Sequence, residues 1–437
     1  MSNKNILMNN NIQVNNPSRK AALISLFILF LLEFHHLKIY PYALMNGRIL
    51  TIIGYLLPIL LFARKSLWKG DFMGKKLLIM YVLLAFLNII TCYIFRKQSL
   101  YVSLLSWVTL LYFLYYLTFR TWNLSIDLWE KVIIHQFLFL LFLFFLKNVF
   151  YDWDFIKLDL SDDKLDFESR VRIYSDAFLE LGYLFFLNKF LVRNNPISLF
   201  FSIMAFLFIF LQGFRMMIVM GVLVSIIMIL RIYSLSLRSL LISIAAFSVI
   251  VMVSLQFEIV QDKIEEIMQR NETDNFANDD YVRILDIEYT YTDFFINGYE
   301  LILGAGKTFV YNLNDEKKRP HFLSQYSIDR SMLATNQHYY PVDLGFIGLS
   351  WECGILFTIV IVVLFLYLWK IKVDKQYYYI SCYGLYMIFV GITNAQGYYQ
   401  GNLICLAVLY VIADQASIQY KDNLNDRAKF LERNENT

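Results

Sequence analysis

Asn336-Gln337-His338-Tyr339-Tyr340-Pro341-Val342-Asp343-Leu344-Gly345 marks where this chain returns from a long polar interval to apolar sequence. The interval opens at Phe257 and closes at Gly354. It carries Lys263, Arg270, Arg283, Lys307, Lys317, Lys318, Arg319 and Arg330, together with His321 and His338. Apolar runs fill the chain before it, and three follow it or overlap its end. A bilayer protein gathers aqueous chemistry where polar residues meet the ends of its helices. The interval therefore reads as the lid and part of the floor of a site at the membrane surface. His338, Asp343 and Glu352 lie within a few helical turns of one another at its far end.

Composition sets the class. The chain has 437 residues, 58% hydrophobic and only 17% charged, with a mean hydropathy of +0.50. Soluble domains carry about a quarter charged residues, so the expectation is an all-α, polytopic membrane protein forming a single integral membrane domain over 1–437. A net charge of +3 without a basic run points away from nucleic acid. Cys92, Cys353, Cys382 and Cys405 lie in or beside apolar runs without metal-ligand spacing, and read as small core residues. The Asn-rich tail up to Pro17 has no signal-cleavage pattern, so the first span reads as a retained anchor.

A span needs roughly 20 mostly apolar residues. About twelve candidates satisfy this, near 21–37, 48–63, 77–95, 100–118, 130–150, 176–192, 196–212, 214–230, 237–256, 342–368, 376–395 and 402–419. Lys and Arg in short loops set orientation. Arg19, Lys20, Arg64, Lys65, Lys69, Lys75, Lys76, Arg120, Lys189, Arg193, Arg231, Arg238, Lys370, Lys372 and Lys375 fall on one side of such a bundle. That side is expected to be cytoplasmic, with both termini, and 151–175 and 257–341 outside. Arg96 and Lys97 land on the outer side and are the local objection. Within the external loop, Phe257–Arg270 and Arg283–Asn297 read as short helices from their apolar spacing, and Gly298, Gly304 and Gly306 as turns.

Gly304-Ala305-Gly306-Lys307-Thr308 invites a phosphate-loop reading, but Leu301 stands where that motif needs its first Gly. A turn after a short helix is the better reading. Arg215, in Gln212-Gly213-Phe214-Arg215, separates two apolar runs. A cation there is costly unless it faces a polar cavity or a partner, and interfacial snorkelling is the bland alternative. Arg170, Arg172 and Arg283 stand at the starts of expected helices. Guanidinium groups match phosphate oxygens bidentately, and a lipid diphosphate at the surface needs several cations. Simple surface pairing is the competing account. His338 has a side chain suited to accepting a hydroxyl proton at neutral pH, with Asp343 the alternative base. Glu352 lies deeper and reads as a helix-holding group. Neither Glu33-His35-His36 nor Glu130-His135 supplies three metal ligands at suitable spacing.

The order of these features resembles the O-antigen and capsular polysaccharide polymerase family (Wzy), and the related O-antigen ligases. The resemblance rests on Gly213-Phe214-Arg215 at a span junction and on the stretch from Arg283 to the Gly304-Ala305-Gly306 turn. It also rests on Asp343 through Gly354 after the late loop. Ligases place Asn directly after the His, whereas here Tyr339 follows His338 and Asn336 precedes it. The resemblance implies a metal-independent glycosyltransferase without cofactors in the bacterial cytoplasmic membrane. Its donor would be a polyprenyl (undecaprenyl) diphosphate-linked oligosaccharide and its acceptor another lipid-linked repeat unit. Arg170, Arg172, Arg215 and Arg283 would hold the diphosphate, and His338 and Asp343 would serve catalysis. Membrane lipids and a chain-length regulator would be its partners. Tyr339, Tyr340, Tyr398 and Tyr399 would offer sugar-stacking faces. A ligase, and a flippase or transporter without chemistry, are the rival readings. Transporters show internal repeats or broken helices, and the sequence displays neither.

Overall fold

The computed structural model describes residues 64–70, 72–122, 124–150, 159–160, 171–172, 177–212, 215–234, 295, 297–307, 344–392 and 400–435, with only the backbone at some of these positions, Arg172 and Arg215 among them. The expected spans near 21–37, 48–63 and 237–256 lie outside these residues. So do the expected helix Phe257–Arg270 and most of Arg283–Asn297.

The described chain is helical apart from one two-residue ribbon. After a 3-10 turn at Lys65–Trp68 come α1 (Lys75–Arg96) and α2 (Leu100–Leu111). A 3-10 turn then leads into α3 (Tyr115–Phe119). Next are α4 (Ile126–Val149), β1 (Asp159–Leu160), β2 (Val171–Arg172), α5 (Ala177–Arg193), α6 (Pro196–Leu211) and α7 (Arg215–Tyr233). The late elements are α8 (Gly298–Leu303), α9 (Phe346–Cys353), α10 (Ile355–Lys370), α11 (Tyr378–Val390) and α12 (Gln400–Glu435). β1 and β2 pair antiparallel, Asp159 opposite Arg172 and Leu160 opposite Val171.

Lys75–Arg96, Ile126–Leu146, Met216–Tyr233 and Asn402–Asp426 are long and apolar enough to cross a bilayer, and Pro196–Leu211 and Ile355–Lys370 are shorter apolar helices. The chain is thus a helical membrane protein. The first half of α12 is apolar all round, and every residue from Leu403 to Ala413 is buried. A helix with that pattern belongs at the centre, and α2, α3, α4 and α5 pack around it. On α6, Ile197, Phe200, Ile203 and Leu207 recur at helical spacing and are exposed, as are Ile79, Met80, Leu83 and Phe86 on α1. Such stripes suit contact with lipid chains.

Local chemistry sets the short connections. Asn194 adopts a left-handed φ of 52 to end α5. Asn195 then caps α6 by accepting from the Ile197 amide at 3.1 Å, with Pro196 in the first turn. α1 ends likewise at Lys97, φ 56, and Ser99 caps α2 through the Val102 amide at 3.3 Å. These are standard helix stops and starts.

Two expectations are corrected. The stretch near 342–368 is not one continuous helix, because it breaks at Gly354 between α9 and α10. Gly354 has φ 86 and ψ 158, a conformation open essentially to glycine alone. Gly298 is not a turn but the first residue of α8, which Asn297 caps by accepting from the Tyr299 and Glu300 amides at 3.0 and 3.2 Å.

The two ends of the bundle differ in charge. At one end, the Lys75 ammonium donates to the Gly70 carbonyl at 2.8 Å and Arg120 to the Lys69 carbonyl at 2.9 Å. The far ends of α5, α7 and α10 and the start of α11 meet at that end too. There Lys189 pairs with Glu130 at 2.7 Å, and Lys375 donates to the Ile232 carbonyl at 2.7 Å. Arg231 stacks over Tyr378 and Trp369. We refer to this as the basic end. The opposite end carries Arg96, α8, the break at Gly354, the first turns of α5 and α7, and the start of α12.

Candidate functional site

A hook built from residues 297–307 dominates the end opposite the basic one. Arg96 lies in the last turn of α1, and Asn88 lies eight residues earlier, about 12 Å deeper at 1.5 Å per residue. The hook contacts both levels. At the rim, Glu300 receives Arg96 through both carboxylate oxygens, Nε to Oε1 at 2.6 Å and Nη2 to Oε2 at 2.8 Å, and neither side chain is exposed at all. This is the bidentate fork that suits guanidinium to carboxylate. Deeper, the Asn88 amide donates to the Leu303 carbonyl at 2.5 Å and to the Glu352 carbonyl at 3.0 Å, while its oxygen accepts from the Trp107 indole at 2.7 Å. The chain then rises again, and Gln98 donates to the Lys307 carbonyl at 3.3 Å.

The break at Gly354 and the hook complete each other. Interrupting a helix frees carbonyls that would have accepted from amides four residues on. Here Ala305 donates to the Trp351 carbonyl at 3.1 Å and Gly306 to the Glu352 carbonyl at 3.0 Å. Irregular backbone at membrane depth is tolerated where protein satisfies it in this way. The glycines allow the approach. A Cβ on Gly304 would sit 2.4 Å from the Cys353 and Glu352 backbones, and one on Gly306 would sit 2.1 Å from the Cys92 sulfur.

This geometry decides the Gly304-Ala305-Gly306-Lys307 motif. In a phosphate loop, glycine amides open a helix and point at the anion. Here the glycines follow a helix, as expected for a turn, and the Ala305 and Gly306 amides already serve the carbonyls of α9. Residues 297–307, one stretch of the interval expected to form the lid and part of the floor, are inserted into the bundle, and most of the rest of that interval lies outside the described residues. Arg96 ceases to be a stray outer charge, because Glu300 neutralises it inside the protein. Glu352 is mostly buried, and its backbone carbonyl accepts from Asn88 of α1 and from Gly306 of the hook.

Of the proposed site residues, His338, Asp343, Arg170 and Arg283 lie outside the described residues. The backbone of Arg172 belongs to the ribbon just before α5, and that of Arg215 opens α7, which packs on α11 and α5. Both backbone positions are therefore at the hook end. Sequence reading missed several polar groups at that end: Asn88, Glu180, Glu300 and Asn402, all buried. Asn88 and Glu180 are polar interruptions of otherwise apolar spans, a signal that could have flagged them. At the basic end, Glu130 is occupied by Lys189 at 2.7 Å and by the Tyr379 hydroxyl at 3.2 Å, so its oxygens serve helix packing.

No protein-family model matches this chain, and it matches no curated protein sequence. The class defined by fold and site is a helical membrane protein in which a late chain segment plugs into a broken helix.

Proposed function

We propose that this protein is a polysaccharide repeat-unit polymerase that transfers a lipid diphosphate-linked oligosaccharide onto another lipid-linked unit at the outer face of the cytoplasmic membrane. The observation that carries the reading is the hook: it fixes one point of the long late interval to the end opposite the basic one. Cations flanking spans favour the cytoplasmic side, so the hook end is assigned to the outside, both termini to the inside, and the whole chain to about twelve spans. The positions of Arg172 and Arg215 at the hook end agree with a diphosphate site there.

In the proposed reaction, an acceptor sugar hydroxyl attacks the anomeric carbon of the donor. A C–O bond forms, the bond to the diphosphate breaks, and the lipid diphosphate leaves with the electron pair. Arg170, Arg172, Arg215 and Arg283 stabilise the charge that develops on it, and His338 takes the hydroxyl proton. The flippase reading gains one feature from the break at Gly354, since transporters use freed carbonyls at such breaks to coordinate ions. Here the Trp351 and Glu352 carbonyls are already engaged by the hook, which favours a fixed scaffold. A ligase would use the same donor chemistry with a lipid-core acceptor.

Cells that assemble the repeat unit supply the test. His338→Ala is expected to stop chain growth while single units still reach the surface, and Asp343→Asn is expected to be milder. Asp343 would need its pKa raised by burial to serve near neutrality, whereas an imidazole would not. The measurement is a comparison of polysaccharide ladders at matched protein levels. A full ladder from His338→Ala with none from Asp343→Asn would make Asp343 the base.

A further inference from the structure

The hook end contains a polar group that the fold leaves unused. Asn402, the third residue of α12, is 2% exposed, and both its amide nitrogen and its amide oxygen are shielded without a hydrogen-bond partner among the described residues. Two other buried asparagines provide the comparison. Asn88 uses both ends of its amide, as described above. Asn188 donates to the Lys375 carbonyl at 3.0 Å and accepts from the Tyr379 amide at 2.8 Å. Both of these asparagines are fully paired where they serve packing. A buried, unpaired amide is costly, and an apolar side chain of the same shape would remove that cost.

The surroundings of Asn402 suit a ligand. Side chains lean toward the N-terminus of their helix, where the first-turn amides have no intrahelical acceptor. One turn on, the Cys405 thiol lies 3.9 Å from the Ala177 carbonyl at the start of α5. Tyr383 and Glu180, both buried, lie close to the same thiol. A file of polar groups therefore descends from Asn402 between α5, α11 and α12, at the same end as the first residue of α7, Arg215.

We propose that Asn402 binds a sugar ring of the substrate. This rests on the polymerase reading above. An amide presents a donor and an acceptor side by side, a match for neighbouring hydroxyls or an acetamido group. A phosphate could use only its donor, whereas a sugar engages both ends of the amide, so the sugar is the assigned partner. Solvent reaches neither amide atom, so the sugar engages Asn402 by displacing the protein atoms that cover it.

Asn402→Leu separates this role from a structural one. The purified variant is expected to melt at or above the wild-type temperature. In cells that assemble the repeat unit, it is expected to lose long polysaccharide by at least about tenfold at matched protein levels. A full ladder from a stable Asn402→Leu protein overturns the sugar subsite and leaves the polymerase reading standing. A clear fall in melting temperature assigns the amide to the fold and likewise overturns the subsite. A ladder indifferent to the presence of the wild-type chain removes the polymerase reading, and the subsite with it.

Discussion

Glu300→Ala is expected to leave little folded protein in the membrane. The substitution strips the carboxylate from Arg96 where neither side chain has any exposure, so the guanidinium would stay buried without that counter-charge. Removing one partner of a buried ion pair costs about 3–5 kcal/mol, whereas replacing both by apolar groups is often neutral. The double variant Arg96→Met, Glu300→Leu is therefore expected to recover most of the lost stability. The comparison is made by heating detergent-purified wild type, Glu300→Ala and the double variant, and following the fraction that stays monodisperse. Equal loss in the single and double variants would show that the pair is needed for more than mutual neutralisation. No loss in the single variant would place the hook outside the stable core.

Gly354→Ala carries the second large effect. At φ 86 and ψ 158, an L side chain costs on the order of 1–3 kcal/mol in backbone strain. Space adds to that cost. The new Cβ would meet the Ile302 carbonyl oxygen and the Leu303 carbonyl carbon at 2.4 Å, and the Gly304 nitrogen at 2.5 Å. These are backbone atoms of the hook, with no flexible side chain to swing away. Either the break closes toward a straight helix or the hook withdraws, and both outcomes strip the Trp351 and Glu352 carbonyls of the Ala305 and Gly306 amides. Protease sensitivity between residues 297 and 307 is the readout. The variant is expected to be cut there well before the wild type, and equal resistance would show that the hook does not depend on the break.

These two substitutions fall where sequence reading was weakest, and the reason is physical. Spans are written locally as runs of apolar residues, so the helices from α1 to α7, and α11 and α12, lie close to the stretches read from hydropathy. A lone glycine in an apolar run is ordinarily absorbed by a helix. Nothing near Gly354 announces a break, because the groups that stabilise it come from Ala305 and Gly306. The Arg96–Glu300 pair joins residues 204 positions apart, and no local pattern encodes such a partner. Its trace was nonetheless present: Arg96 was the charge that fitted the topology worst. An expensive residue in an awkward place signalled an interaction, as did Asn88 in the middle of an apolar span. The candidate catalytic residues were legible only as residue types at positions, since His338, Asp343, Arg170 and Arg283 lie outside the described residues. Glu180 and Asn402 gained meaning only when α5, α11 and α12 were seen to meet.

The central claim is that this chain joins lipid-linked repeat units to one another. The most direct measurement places purified protein in liposomes whose only substrate is the lipid diphosphate-linked repeat unit, with a metal chelator present. Lipid-linked products are then resolved by length. The account predicts a series of two, three and more repeat units, unaffected by the chelator and lost in Arg215→Ala. Repeat units that stay single, whether untouched or merely carried across the bilayer, would contradict it.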